Sequence, residues 1–239
     1  MKKHFRIVFP ILLFLITCVV RVDAQSTDKN IQYPNYWSTD REYKYTGLYL
    51  DSSGQKITSE IITLHPTGTV WEADTKQTLM DVKLDSLTPD WSKIPNDPIN
   101  GIFTNWSSNY QEGVLQDKSK IWIHPIRRNQ YILTELAPFP EVRFPVKDST
   151  TWKTTLWIYA AFGTFEGAVE SNYTVHQEEI RDYRFGKLKC WKIVATGVHD
   201  KLGINTAIYY FNTEYGFTEM NYTFYNQQKI EFRLIALKF

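Results

Sequence analysis

Over its last fifty residues the chain alternates apolar and polar side chains with the two-residue period of β-strands. Ile230, Phe232 and Leu234 are apolar, and Glu231 and Arg233, which lie between them, are charged. Strands joined by short turns pair antiparallel, so the sequence predicts a four-stranded antiparallel sheet in this region. The four strands are predicted at residues 188–195, 207–211, 217–224 and 230–236.

The register of the last hairpin follows from the need to keep one face of the sheet apolar. A three-residue loop at 226–228 places Phe224 opposite Ile230 and Tyr222 opposite Phe232. A two-residue loop would set polar residues against the same apolar side chains, because a one-residue slip moves a strand's side chains to the opposite face. We therefore predict the three-residue loop, with aromatic pairs across the two strands.

Strand patterns also occupy most of the chain before this region. Residues 65–69, His-Pro-Thr-Gly-Thr, predict a hairpin turn, after which the strand resumes at Val70. No segment has the helical periodicity that parallel βαβ units require, so the sheet should be antiparallel throughout. The predicted fold class is all-β, an antiparallel sandwich or half-open barrel of about ten strands with one long loop. Further strands are predicted at residues 43–50, 55–64, 79–84, 120–124, 131–136, 152–163 and 172–184.

The long loop, residues 86–110, has no strand pattern. Its Thr-Pro-Asp sequence at residues 88–90 predicts a single helical turn. Trp91 and Trp106 lie in this interval, where no sheet face requires them, and an exposed indole ring can stack on a sugar ring or cover an apolar ligand. We expect both to be ligand-binding aromatics on a flap. The alternatives are that they pack on an open end of the sheet, or that the interval is an inert insert.

The N-terminal residues have the order of a secretory signal peptide, with basic residues, an apolar run and small residues before a cleavage site. Cleavage is predicted after Ala24, so that residues 1–24 are the signal peptide and the mature protein is periplasmic or extracellular. The alternative is a lipoprotein signal that would attach lipid to Cys18.

The mature chain is predicted to form one domain. Residues 25–40 are polar and irregular, and we expect a flexible lead-in there, with Tyr33, Tyr36 and Trp37 as candidate anchors. Residues 41–239 should form a single all-β domain, because no long polar linker interrupts them. Prolines between residues 137 and 146 limit ladder hydrogen bonds and predict a Pro-rich waist in this domain.

Charge and cysteine content narrow the range of partners. The chain has 27 basic and 26 acidic residues, and removal of the signal peptide takes away four basic residues and one acidic residue. The mature protein is then slightly acidic, so a nucleic acid is not an expected partner.

Cys190 is the one cysteine left, so no internal disulfide can form. No second long apolar run is present, so no transmembrane segment is expected in the mature chain.

Several sequence features occur in a fixed order from residue 144 onward. They are Phe144-Pro-Val146 with Trp152, Tyr173-x-Val175 to Glu178, Gly186-x-x-x-Cys190-Trp-x-Ile193, and the aromatic run from Tyr209 to Gly216-Phe-Thr. This order resembles the C-terminal part of uncharacterised secreted bacterial proteins of the TapB-like type. The resemblance implies an all-β sandwich or half-barrel and brings no catalytic residue, and the chain departs from the family at residues 181–185, where a small-residue turn is usual. Residues 64–71 also resemble a hairpin element of small lipocalin-like barrels.

The sequence lacks the motifs of common catalytic sites. It contains no Gly-x-Ser-x-Gly, His-Glu-x-x-His, glycine-rich phosphate loop or Cys-x-x-Cys, and its histidines lack the spacing of metal ligands. His176 and Glu178 could share one strand face, where a solvated polar face is the simpler interpretation. Cys190 lies within a predicted strand, and we expect a buried packing thiol. Neither an enzymatic activity, a metal nor another cofactor is predicted.

These observations leave three function hypotheses. The first is a non-enzymatic binding protein whose curved sheet encloses an aromatic-lined apolar cleft for an apolar or saccharide ligand. The second is a structural or assembly protein of the bacterial envelope, without a small-molecule ligand, whose sheet face or edge contacts another envelope protein. The third is a carbohydrate-active enzyme, which needs acids that the sequence does not single out. An open cavity would favour the first, a filled interior with an exposed apolar patch the second, and two carboxylates across a groove the third.

Overall fold

Twelve strands form one antiparallel sheet in the computed structural model, which describes residues 32–71, 76–85, 107–158 and 166–239. The all-β antiparallel prediction is therefore confirmed, and the half-open barrel is the alternative that is observed. The strands are β1 (Glu42–Leu50), β2 (Lys56–Val70), β3 (Thr78–Leu84), β4 (Asn109–Gln116), β5 (Lys120–Ile123), β6 (Glu141–Arg143), β7 (Thr151–Ile158), β8 (Gly167–Tyr183), β9 (Gly186–His199), β10 (Gly203–Asn212), β11 (Gly216–Thr223) and β12 (Lys229–Lys238), with a 3₁₀ helix at Asn129–Leu136.

The connection between the two edge strands explains why the sheet curls. The strand order is β6-β5-β4-β3-β2-β1-β12-β11-β10-β9-β8-β7, so the edge strands β6 and β7 are consecutive in the chain. A flat sheet of twelve strands would separate its edges by roughly 50 Å. Residues 144–150, which join the two edges, can span at most about 30 Å. The sheet must therefore bend toward closure, as a half-open barrel.

Residues 126–140, which we call the plug, pack against the inner face of this curled sheet. All eight residues of the 3₁₀ helix within the plug are buried. The ring of Tyr131 lies 5.0 Å from that of Phe232 on β12. On β1, a Cβ added to Gly47 would collide with the Tyr131 hydroxyl, so the absence of a side chain at Gly47 allows the plug to pack against β1.

Side chains of the sheet satisfy carbonyl groups of the plug. Asn205 Nδ2 donates to the Leu136 carbonyl at 2.8 Å. The Tyr173 hydroxyl donates to the Phe139 carbonyl at 2.9 Å. Buried carbonyl groups that have no strand beside them need such partners, so these bonds fix the plug in its position.

The predicted strand at residues 131–136 is wrong, because this segment belongs to the 3₁₀ helix. The segment is buried on all sides and presents no polar face to water, so its sequence shows no amphipathic period. Hydrogen bonds between residues three apart, such as that from the Ala137 N–H to the Thr134 carbonyl, satisfy backbone groups where no neighbouring strand is available.

The predicted hairpin turn at residues 65–69 is also wrong. β2 continues through this segment and pairs with β3 on both sides of it, with a register shift between Pro66 and Val70. Gly68 has a φ of 72°, which places it in the left-handed region expected for this glycine. A strand irregularity and a hairpin turn can both require a glycine with a positive φ, so the sequence motif alone did not distinguish them.

The four predicted C-terminal strands are confirmed as β9 to β12. The last hairpin has a three-residue loop, but at 225–227, one residue earlier than predicted, so Tyr222 pairs with Ile230 instead of Phe232. Gln227 has a φ of 66°, as the last residue of a three-residue hairpin loop commonly does. The apolar face is preserved, and the rings of Tyr222 and Phe232 lie 6.2 Å apart.

The described part of the predicted flexible lead-in, residues 32–40, packs against the sheet. Tyr36 is fully buried, and its hydroxyl donates to the Thr213 carbonyl at 2.7 Å. Trp37 is buried as well. Tyr36 and Trp37 are therefore anchors of the lead-in, because their aromatic side chains contribute buried area that holds this part of the segment in place. Residues 25–31 and the predicted signal peptide lie outside the described residues.

The Pro-rich waist, residues 137–146, contains the end of the plug and the short edge strand β6. An edge position suits prolines, which cannot donate to a ladder on both sides. β4 was not predicted, and it begins within the last residues of the interval expected to be a long loop. The rest of that interval, residues 86–106, and residues 159–165 at the end of another predicted strand lie outside the described residues.

Candidate functional site

Both residues predicted to bind a ligand, Trp91 and Trp106, lie outside the described residues. The flap therefore stays a prediction. In the described part of the chain, the plug covers the inner face of the sheet, so this face is not an open apolar cleft there. Two other features remain as candidate sites, one buried where the plug contacts the sheet and one on the outer face.

The buried feature comprises two sets of polar side chains: Glu112, Arg127 and Glu135, which we call the acidic cluster, and the separate pair Glu60 and Gln130. Arg127 joins two carboxylates, with its Nε 2.9 Å from Glu112 Oε2 and one terminal nitrogen 2.8 Å from both oxygens of Glu135. The Gln130 amide donates to Glu60 Oε1. All three acids are at least nine-tenths buried, whereas the Arg127 side chain is 22% exposed. The guanidinium is thus the surface end of the buried network of Glu112, Arg127 and Glu135.

Two acceptor atoms in these two sets of side chains have no hydrogen-bond partner among the described residues. They are Oε1 of Glu112 and Oε1 of Gln130, and each of these residues is 1% exposed. A buried acceptor without a donor loses its hydration and gains nothing in return, at a cost of roughly 1–3 kcal/mol. Such groups are rare in folded proteins and are often functional.

Burial changes the protonation of the cluster. Loss of hydration raises the pKa of Glu112 to about 7, although the nearby Arg127 charge opposes this rise. Burial raises the pKa of Glu135 as well, again against the attraction of Arg127. A carboxyl group with a pKa near neutrality can exchange a proton at physiological pH, so the cluster is chemically responsive.

The sequence contains a signal for one of these acids but not for the others. Glu60 alternates with Ile62 and Leu64, which predicts that it faces the core with them. Glu112 faces the core from β4, where it pairs with the buried Met80 of β3. Because β4 was not predicted, the inward direction of Glu112 could not be inferred.

The outer feature consists of three exposed apolar side chains near the β7 edge, which we call the outer patch: Trp157, Val198 and Ile204. Their exposed fractions are 61%, 44% and 57%. Val198 and Ile204 pair directly across β9 and β10. Val198 also pairs with Glu170 of β8, which pairs with Thr155 of β7. Trp157 follows Thr155 by two residues, so all three apolar side chains lie on the same face.

A groove of about 670 Å³ lies at a bulge in β8. The bulge shifts the pairing, so that His176 lies opposite Lys192 and Glu178 lies opposite Trp191. Because adjacent residues of β9 point to opposite faces, His176 and Glu178 do not share a face, contrary to the expectation from their spacing. A second groove, of about 480 Å³, is lined mainly by polar residues of β2, β3 and β4.

Cys190 and His124 are both shielded by burial. Cys190 is fully buried beside Tyr183 and Thr218, and burial raises the pKa of its thiol, so the predicted packing role is confirmed. Burial lowers the pKa of His124 to about 3, so this imidazole is neutral at physiological pH. In the described ranges, no group of three or more potential metal ligands comes together, and no helix has the length and apolar character needed to cross a membrane.

Comparisons with known proteins assign no family. No family model and no curated protein matches the sequence. The solved structures that match include a candidate exported protein with a YmcC-like fold from Bacteroides fragilis, with a TM-score of 0.45, 9% identity, and coverage of 87% of this chain and 98% of that one. They also include a candidate lipoprotein from Parabacteroides distasonis, with a TM-score of 0.47, 11% identity, and coverage of 84% and 96%. For the hypothetical lipoprotein YmcC from Escherichia coli the TM-score is 0.38 at 10% identity, with 81% and 84% covered. These similarities carry no function over to this chain.

Proposed function

We propose that the protein is exported, has no enzymatic activity, and acts by contacting another protein of the bacterial envelope through the outer patch. The observation that carries this proposal is the contrast between the two faces of the sheet. The plug covers the inner face, while Trp157, Val198 and Ile204 stay exposed on the outer face. Apolar side chains grouped on one face of a folded protein commonly mark a contact site.

The position of the outer patch supports a protein partner. Trp157 lies on β7, an edge strand with a described neighbour on one side only. An edge strand can accept a further strand from a partner, and the apolar side chains beside it can add buried area to such a contact. Trp is also the residue type that contributes most often to the central part of protein interfaces.

The same structure gives less support to an apolar ligand or to catalysis. An apolar ligand needs an open cleft, and in the described residues the plug occupies the inner face. A glycosidase needs two carboxylates across a groove. Glu112 and Glu135 instead share the guanidinium of Arg127 within the buried network.

Export is proposed from the N-terminal sequence. The basic residues, the apolar run and the small residues before Gln25 follow the order of a secretory signal. We expect the mature protein to begin at Gln25 and to function in the periplasm or outside the cell. Lipid attachment at Cys18 is the alternative.

Site-specific photo-crosslinking tests the contact. A photoreactive amino acid at position 157, in the full chain expressed in intact cells, should give a discrete crosslinked species with one envelope protein. Position 180 is the matched control, because Ile180 is 72% exposed on β8 and lies outside the outer patch. No crosslinked species from position 157, the same species from both positions, or a species of twice the monomer mass would each contradict the proposal.

A further inference from the structure

The two edge strands of the sheet differ in how they are protected against further pairing. β6 is three residues long and two of these residues are charged, while Pro140 precedes it and Pro145 follows shortly after its end. β7 is eight residues long, contains no proline and carries one charged residue, Lys153. Edge strands are usually short, charged or interrupted by proline, because an open edge can pair with another chain. β7 lacks most of this protection.

Backbone hydrogen bonds at the start of β7 show which of its residues face β8. The Val175 N–H donates to the Thr150 carbonyl at 2.9 Å, so Val175 directs its backbone groups toward β7. From there the pairing of β7 with β8 continues to Ile158 without a register shift. Paired residues in an antiparallel ladder alternate between those that exchange hydrogen bonds and those that do not. The even-numbered residues of β7, from Trp152 to Ile158, therefore bond to β8.

The odd-numbered residues of β7 direct their N–H and carbonyl groups to the free edge, where no strand of the described residues pairs with them. Among them are Thr155 and Trp157, whose side chains are exposed on the outer face. Leu156, between them, is partly buried and packs against the core on the inner face. A strand placed beside β7 would thus gain backbone hydrogen bonds at residues 155 and 157, and apolar contacts with Trp157 on one face and Leu156 on the other.

We propose that the partner of the outer patch supplies an extended segment that adds a strand to the sheet at the free edge of β7. This inference rests on the proposed function and specifies how the partner binds. Main-chain hydrogen bonds give such a contact its affinity, and alternate side chains give it specificity. The segment that fits has an apolar residue beside Trp157 and another, one position away, beside Leu156. The rest of the partner would then cover Val198 and Ile204 on the outer face.

Amide hydrogen exchange of the purified mature protein, followed residue by residue by NMR, tests whether the edge is free. The amides of Thr155 and Trp157 should exchange as fast as those of exposed turns, because no strand accepts from them, whereas the amide of Leu156 should exchange slowly. Slow exchange at residues 155 and 157 would show that another part of this chain, or a second copy of it, already occupies the edge, and it would overturn the inference.

Proline substitution tests whether the partner uses this edge. Thr155→Pro removes one edge N–H, and proline is accepted in edge strands where the N–H faces solvent. Thr155→Val is the matched control, because it removes the hydroxyl group and keeps the N–H. With the photoreactive amino acid at position 157 in intact cells, Thr155→Pro should yield about fivefold less of the crosslinked species than Thr155→Val, or lower still.

The outcomes separate this inference from the proposed function. If the wild type gives the crosslinked species and Thr155→Pro yields as much of it as Thr155→Val, the partner adds no strand and this inference alone fails. If the wild type gives no crosslinked species, the proposed function fails and the inference fails with it. Slow exchange of the Leu156 amide in Thr155→Pro verifies that β7 still pairs with β8. If that pairing is lost, Lys153→Pro, which removes another N–H of the same edge, takes its place, with Lys153→Ala as its control.

Discussion

Glu112 and Glu60 differ in how far the sequence reveals their surroundings. Glu60 stands in register with apolar residues of a strand that was predicted, so its inward direction is visible in the sequence. Glu112 lies in β4, where Gly113 and the neighbouring polar residues obscure the strand pattern. Its partner Arg127 comes from the plug, fifteen residues later. A buried ion pair between separate elements depends on tertiary structure, and single-sequence patterns do not report it.

The raised pKa of Glu112 predicts a pH dependence of stability. The ordinary carboxyl pKa is 4.5, whereas in the folded protein this group keeps its proton up to about pH 7. Between these values the folded state binds more protons than the unfolded state, so a rise in pH favours unfolding. From pH 5 to pH 8 the stability should fall by an amount on the order of 3 kcal/mol through this group, since one pKa unit corresponds to about 1.4 kcal/mol.

Urea denaturation of the wild type and of Glu112→Gln at several pH values measures this effect. The variant cannot ionise at residue 112, so its stability should fall less than that of the wild type between pH 5 and pH 8. Glu170→Gln, which removes an exposed acid, should follow the wild-type profile. Parallel profiles for all three proteins would show that Glu112 keeps an ordinary pKa.

At the scale of elements, the alternation of apolar and polar residues predicted the strands that have one buried face and one solvent-exposed face. β9 to β12 were found because polar and apolar positions alternate and turn residues separate them. The plug was missed because water reaches neither side of its helix, and burial on all sides removes the period. The predicted loop of the last hairpin is displaced by one residue from the observed loop. This displacement changes each residue's pairing partner by two positions, which keeps the same side chains on the inner face, so the apolar pattern cannot detect it.

Asn205 tests how strongly the sheet holds the plug. It is fully buried, its Nδ2 donates to the Leu136 carbonyl, and its Oδ1 accepts from the Tyr225 N–H at 2.9 Å. Asn205→Ala leaves both backbone groups buried without partners and should lower the free energy of unfolding by about 2–4 kcal/mol. Chemical denaturation checks this, with Asn172→Ala, an exposed position on β8, as the control that should change stability little. If Asn205→Ala lowered the free energy of unfolding no more than Asn172→Ala does, the hydrogen bonds of Asn205 would not be what holds the plug.

At the scale of the whole molecule, closure depends on one non-local pairing and one linker. β1 pairs with β12 across almost the full length of the described chain, and residues 144–150 keep the two free edges within reach. Neither feature leaves a local signal, so the sequence did not decide between a sandwich and a half-open barrel. It also did not predict that the chain would cover its own inner face, the observation that favours a role for the outer face.

Hydrogen–deuterium exchange of the plug tests this claim most directly. If the plug is a fixed part of the interior, the hydrogen-bonded amides of residues 131–137 should exchange as slowly as those of β10, because both would require the same global opening. Exchange of these amides within seconds, while β10 stays protected, would show that the plug leaves the inner face. The inner face would then be an accessible apolar cleft, and the proposed role of the outer patch would lose its main support.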